Sequence, residues 1–196
     1  MRNSEFGLQN VELPKGAPLP PLTLRTATAA DAEALHALVS AHLQEGHLLP
    51  REPGEIRRHA GRFVVCEHDG TISACAELAP LSSSVAEVRS LVVEGACRGT
   101  GVAGRLVAEL RARAKSSGFQ TLCAFTHDAR FFVRQGFSIV PHTWVPAKIA
   151  TDCLACPLFR TCGQRAMVLP LHAVARRQAS NPETQHAAVA SLEAWL

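Results

Sequence analysis

Residues 86–118 read AEVRSLVVEGACRGTGVAGRLVAELRARAKSSG, and this stretch decides the fold. AEVRSLVV (86–93) is a short Val/Leu-rich run of strand character. It gives way to the Gly-rich EGACRGTGVAG, which opens onto an amphipathic helix from about Ala103 to Ser117. Leu106, Val107, Leu110 and Ala114 share one face of that helix, and Gly118 stops it. Gly99 and Gly101 let the main chain approach a phosphate closely. The free N–H groups at the helix start, helped by the helix dipole, then hold the negative charge. The spacing fits neither of two other phosphate loops: GxxxxGK(S/T) is missing, and so is GxGxxG followed by an acidic strand end. Two glycines before a helix also make an ordinary tight turn, so the rest of the chain must decide.

Toward the N-terminus, RFVVCEH, Asp69-Gly70 and TISACAELAPL form a hairpin, because Asp-Gly suits a two-residue turn with positive φ. LTLRTAT (22–28) alternates as a short strand. Thr28 with Asp31 caps a helix running to about Gln44, with Ala32, Leu35, Leu38, Val39 and Leu43 as its apolar stripe. EGHLLPREPGEIRRH follows as a loop and a short helix. Toward the C-terminus come the strand TLCAFTH (121–127), the short helix DARFFVRQG, the strand FSIV, a Cys-bearing loop and a last strand, AMVLPL (166–171). This order predicts an α/β fold, a mixed central sheet flanked by helices in a single domain over residues 22–172. Residues 1–21, polar and then Pro-rich, read as a flexible arm. The extension 173–196 ends in a helix from Pro182 to Leu196.

The chain has 196 residues, 47% hydrophobic and 19% charged, enough for one domain with a sizeable core. Its formal charge of +3 is dispersed, without a Lys/Arg run, which argues against nucleic acid as a partner. No apolar stretch approaches the roughly 20 residues that span a bilayer, so no membrane partner is expected. The N-terminus lacks the apolar core of a secretory signal. Seven cysteines, an odd number, do not make a secreted disulfide framework, and a reducing, cytoplasmic home is expected. Tyrosine is absent.

Arg98-Gly99-Thr100-Gly101-Val102-Ala103 matches the Arg/Gln-x-x-Gly-x-Gly/Ala signature of the GNAT superfamily of acetyl-CoA-dependent N-acetyltransferases. ARFFVRQGF (129–137) resembles the helix–Gly-Phe segment that the superfamily places about one strand later, and the resemblance spans roughly residues 22–171. SACAELAPL, AEVRSLVV, LCAFTHDARFFVRQGF and ATDCLACPLFRTCGQRAMVLPL together are similar to the acetyltransferase domain of N-acetylglutamate synthases, in their stand-alone bacterial form. That resemblance implies a GNAT fold and acetyl transfer from acetyl-CoA to the α-amino group of L-glutamate, the entry step of arginine biosynthesis. Longer members carry an amino-acid-kinase-like domain that senses arginine. These 196 residues leave no room for it, so arginine feedback by that route is expected to be absent. Superfamily relatives often dimerise, which makes a homodimer the protein partner to look for.

The resemblance also implies site roles. The backbone of Leu91, Val92 and Val93 pairs with pantetheine, and an N–H near Leu91–Val92 is the oxyanion donor. Arg98, Gly99, Thr100, Gly101, Val102, Ala103 and Gly104 hold the pyrophosphate. An α-ammonium group must lose a proton before attack, and Glu87 is the candidate base. The opposing reading pairs Glu87 with Arg89, two residues on and on the same strand face, which would make the carboxylate less basic. Phe132 stands where many members have a proton-donating tyrosine. The coenzyme A thiolate, conjugate to a thiol of pKa ~8.5, then leaves unassisted and takes its proton from the amine or water. Two acceptor carboxylates call for cations: Arg51 matches the family's substrate arginine, and Arg89 and Lys148 are further contributors. Arg160 reads as surface charge. Ala79 stands where relatives carry a polar or basic residue, so one carboxylate contact is missing, and another amino acid, another amine or a peptide N-terminus stays open as acceptor. A non-catalytic acyl-CoA-binding module is the alternative outside enzymology.

Cys153, Cys156 and Cys162 form a compact thiol cluster. Zinc there would need a fourth ligand from His142, His172, Asp152 or water, so reduced thiols or a Cys–Cys pair formed on oxidation are the preferred readings. Cys66, Cys75 and Cys123 sit in apolar strands and read as core. His127, at a strand end, is the one histidine expected to face the site.

Overall fold

The computed structural model describes residues 23–172, apart from 46, 47, 49 and 69. The arm over 1–21 and the extension with its terminal helix lie outside the described residues. The strands are β1 (Thr23–Thr26), β2 (Phe63–His68), β3 (Thr71–Pro80), β4 (Val85–Val93), β5 (Thr121–Thr126), β6 (Ser138–Val140) and β7 (Arg165–Pro170). They form one mixed sheet in the order β1-β2-β3-β4-β5-β7-β6, antiparallel throughout except for the parallel pair β4–β5.

The sheet is two-faced because its strands alternate with period two. In β2, Val64 and Cys66 pack with Leu106, Val107 and Leu110 of α3 (Val102–Ser116) and Phe132 of α4 (Ala129–Arg134). Phe63 and Val65 instead join Leu35, Leu38 and Val39 of α1 (Ala32–Ala41) and Ile56 of α2 (Pro53–Arg58). Burying each such Leu or Ile stabilises the fold by about 1.5–3 kcal/mol. The expected hairpin is present with Gly70 at φ 75°, and Gly118 ends α3 at φ 82°. No helix among the described residues is long and apolar enough to cross a membrane.

Two segments depart from the sequence reading. The Thr28/Asp31 capping box is present, but α1 stops at Ala41 and a 3-10 turn covers Leu43–Glu45. His42 explains the early stop: its Nδ1 lies 2.8 Å from the Leu38 carbonyl, the group that its own backbone N–H would bond in a continuing helix. The loop after β6 is not featureless. Pro146–Lys148 makes a helical turn that widens into a π turn at Ile149–Cys153. No side chain from 146 to 165 is buried, so this segment carries no apolar periodicity to read.

Candidate active site

The parallel pair β4–β5 runs from Val85 opposite Thr121 to Val88 opposite Ala124, and then the strands part. On the other side of β4 the register jumps: Cys75 faces Val92 and Glu77 faces Arg89. Ser90 and Leu91 therefore share one opposing residue, which is a β-bulge. Ser90 sits at φ 50°, the one non-glycine residue with positive φ among those described. A bulge bends its strand and leaves main-chain groups without ladder partners. Arg89–Val93 thus presents a free edge to the gap beside β5. A cavity of about 360 Å³ lies along this edge, lined by Leu91, Val92 and Val93 together with Arg98, Ala103 and Phe131.

At the end of β4 the Gly-rich loop takes the shape its glycines allow. Gly99 (φ 81°) and Gly101 (φ 84°) adopt left-handed conformations, and Gly101 caps α3. A Cβ at either position would have no atom within 4 Å, so both glycines face open space. Arg98 Nε donates to the Val93 carbonyl at 3.0 Å and ties the loop to the strand, while Thr100 Oγ1 donates to the Cys97 carbonyl at 2.7 Å. The first turn of α3 holds no acidic residue, so no side chain of that turn offsets the positive end of its dipole. The N–H groups of Val102, Ala103 and Gly104 belong to that turn and have no intrahelical acceptor.

A cluster of charges sits where β4 and β5 part. Lys148 Nζ lies 2.8 and 2.9 Å from the two oxygens of Glu87, and Arg89 Nε and Nη2 donate to Glu87 Oε2 at 3.0 and 2.7 Å. Asp152 Oδ2 accepts from Lys148 Nζ at 2.8 Å and from Arg89 Nη2 at 2.5 Å. Lys148 also lies 5.3 Å from the centre of the Phe125 ring. Next to this network, Arg51 Nη1 donates to Glu77 Oε2 at 2.7 Å and to Ser90 Oγ at 3.0 Å, and its Nη2 donates to Glu55 at 2.8 Å. Burial opposes the Arg51 charge, but hydrogen bonds and attraction from Glu77 and Glu55 outweigh it and hold the guanidinium above its ordinary range. Burial likewise opposes the Arg89 charge, and Glu87 and Asp152 reverse the balance. Arg51 and Arg89 thus stand at the bulge, with Lys148 joined to Arg89 through Glu87 and Asp152, and each is already paired.

The model of the acetyltransferase (GNAT) family matches residues 30–137, which is more than half of the chain. The chain belongs to the GNAT acetyltransferase family. An uncharacterized N-acetyltransferase of Chlorobaculum tepidum is 31% identical over 76% of this chain and 96% of that protein. The amino-acid acetyltransferase of Ralstonia nicotianae is 35% identical over 58% of this chain, but the match spans only 26% of its own length. N-acetylglutamate synthase from Neisseria gonorrhoeae, solved with coenzyme A and N-acetyl-glutamate, superposes with a TM-score of 0.70 at 24% identity. That match covers 80% of this chain and 36% of the synthase. A Mycobacterium tuberculosis protein solved with CoA shares the fold end to end, with a TM-score of 0.67 at 23% identity, covering 76% of this chain and 99% of that one.

Several residues of this GNAT domain's site lie beyond the sequence reading. His42 and Leu48 line the cavity from the α1 side, and Asp128 and Arg134 line it from the α4 side. Glu77 is buried and is the one charged residue of β3; a lone carboxylate in SACAELAPL, which the hairpin register sets opposite Arg89, is the available signal. Asp152 had none, since only the fold brings it to Arg89. His127 packs its ring against Gly163 of the β6–β7 connection. Cys66, Cys75 and Cys123 are buried as expected, and Cys97 joins them. Burial pushes the Cys75 and Cys123 thiols up to about 12. Burial also raises the Cys153 thiol, helped by Cys162 and Cys156 and opposed by Lys148. Among the described residues, no three or more His, Cys, Asp or Glu side chains are gathered as metal ligands would be.

Proposed function

We propose that this protein is an acetyl-CoA-dependent N-acetyltransferase whose acceptor is the α-amino group of an amino acid, with L-glutamate foremost, making N-acetylglutamate at the entry to arginine biosynthesis. One observation carries the reading: the cavity runs along β4 to Leu91 in the bulge, where Arg51 holds Ser90, Arg89 precedes Ser90, and Lys148 shares the Glu87 carboxylate with Arg89. A flexible thioester laid along Leu91–Val93, with its pyrophosphate on Arg98–Gly104, brings its carbonyl to the bulge. The acceptor's carboxylates meet the three cations, and its amine then points at the same carbonyl. Relatives named amino-acid acetyltransferase support the acceptor class.

Transfer proceeds by direct attack in a ternary complex. The amine lone pair forms the C–N bond, and the carbonyl oxygen takes up charge beside main-chain N–H groups near Leu91–Val92. The C–S bond then breaks and sulfur keeps its electron pair. The pairing with Arg89 that opposes a base role is present, joined by Lys148, and Glu87 is still the carboxylate assigned to receive the ammonium proton through water. Its Oε1 accepts from Lys148 alone among the described residues, which leaves a lone pair there, whereas Oε2 serves three donors. Phe132 is core, so the departing thiolate takes its proton from the amine or water.

The test is release of coenzyme A thiol from acetyl-CoA across L-glutamate, L-glutamine, L-aspartate, neutral amino acids and short peptides. Release that depends on a free amino acid and is fastest with L-glutamate is the expected result. Release with peptides alone would move the acceptor to protein N-termini. Acetyl-CoA binding without release on any amine would favour an acyl-CoA-binding module.

A further inference from the structure

We infer that Asp152 is an internal stand-in for the acceptor's carboxylate: it occupies the seat on Arg89 and Lys148 that a substrate carboxylate takes over, so acceptor binding is an exchange of one carboxylate for another. The inference rests on the amino-acid acceptor proposed above and names how its carboxylate is received.

The two carboxylates on this pair of cations are not equivalent. Glu87 is fixed in the middle of β4, and its side chain is 4% exposed. Asp152 is 32% exposed and closes the cluster on the solvent side. One of its oxygens, Oδ2, receives both cations at once. That is the bonding a ligand carboxylate would have there, since Arg and Lys donors converge on a single anionic point. The chain carrying Asp152 is also easy to move. Beyond Lys148, which Glu87 anchors, no side chain from 149 to 165 is buried, and Leu154, Leu158 and Phe159 stand exposed. Asp152 itself sits in the π turn Ile149–Cys153, a wide, irregular turn of the kind that collects at functional sites. Releasing it breaks two partly solvated charged contacts and disturbs no core packing.

Charge follows the same logic. Glutamate carries one net negative charge at neutral pH, the same as the carboxylate it replaces, so the exchange leaves the cluster's total charge unchanged. Without it, an acceptor's side-chain carboxylate would have to join cations whose donors already face Glu87 and Asp152, at the cost of like-charge repulsion at close range.

The experiment compares wild-type protein with Asp152→Asn and Asp152→Ala. It measures the KM for L-glutamate and, separately, the affinity for glutarate, a dicarboxylate without an amine, read from the shift in thermal unfolding. A neutral competitor holds the seat more weakly than a charged one. Both variants should therefore show a roughly three- to tenfold fall in KM for L-glutamate and a matching gain in glutarate affinity, with the KM for acetyl-CoA unmoved. Added salt should raise the KM of the variants more than that of wild type, because in wild type it screens the internal and the incoming carboxylate alike and the two effects largely cancel. A rise in KM in both variants, or glutarate affinity equal to wild type, would overturn the inference. If wild-type protein acetylates no amino acid, the acceptor reading fails by itself, and the glutarate measurement still tests the seat.

Discussion

Arg51 has two jobs in this account, and a double-mutant cycle separates them. Its guanidinium is 8% exposed and its partner Glu77 is 1% exposed, so removing Arg51 strands a carboxylate inside the protein. Breaking one side of a buried ion pair costs about 3–5 kcal/mol, against a total stability of roughly 5–15 kcal/mol for a domain of this kind. The contact with Glu55, which is 35% exposed, adds only about 0.3–0.5 kcal/mol. Arg51→Met should therefore lower the unfolding free energy by about 3–5 kcal/mol. Glu77→Leu leaves Arg51 with Glu55 and Ser90 and should cost less, about 1–3 kcal/mol. The double variant replaces both charges by apolar groups and should return to within about 1 kcal/mol of wild type, because an apolar pair removes the desolvation cost of both ions. Urea unfolding at neutral pH, with the denaturant slope checked for constancy, reads all four corners of the cycle. If Arg51→Met unfolds within about 0.5 kcal/mol of wild type, or the two single effects simply add, the buried pair is not what holds this corner of the site. The double variant then becomes the proper control for catalysis: a stable protein that has lost acceptor affinity isolates the substrate role of Arg51.

Three further outcomes follow. Gly101→Ala puts a Cβ into the open space at the start of α3, at a left-handed φ that costs about 1–2 kcal/mol, and should raise the KM for acetyl-CoA several-fold while hardly changing that for the amino acid; an unchanged acetyl-CoA KM would remove the phosphate from this loop. A colorimetric thiol reagent at pH 8 should find Cys153, Cys156 and Cys162 in the native protein and all seven thiols only after denaturation, because Cys66, Cys75, Cys97 and Cys123 are buried. The hydrogen bonds from Arg25 hold Asp31 well below the usual carboxylate range. That stability is full above the unfolded value near 4 and fades as pH falls toward the depressed folded value, so Asp31→Asn should cost about 1 kcal/mol at pH 7 and progressively less below pH ~4, as read from urea midpoints.

What the sequence makes legible here is what is local. The Gly99–Gly101 loop and α3 can be read because glycine spacing and a four-residue apolar stripe occupy one continuous stretch. The Glu87–Arg89 contact can be read because residues two apart on a strand share a face. The β4 bulge cannot, since Ser90 looks like any strand serine until the register with β3 is known. The sequence offers Lys148 only as one of several cations that a dicarboxylate acceptor would need. Its contact with Glu87 joins residues 61 apart, across α3, β5, α4 and β6, and no periodicity marks it. Asp152 reads from the sequence only as a spare metal ligand, because an unburied segment offers no pattern that says where it docks. His42 shows the converse: a side chain that ends its own helix by taking the Leu38 carbonyl also reaches the cavity, and nothing in AHLQEG separates that from a surface histidine.

The central claim is that one acetyl group passes from the thioester to an amino acid's α-nitrogen. It is tested most directly with acetyl-CoA labelled with ¹³C at the carbonyl, mixed with the protein and an equimolar set of L-glutamate, L-glutamine and L-alanine, and followed by NMR. The account predicts that the thioester signal gives way to a single dominant amide signal, that of N-acetyl-L-glutamate. Label that stays on the thioester, or ends as free acetate or on the protein itself, would contradict it.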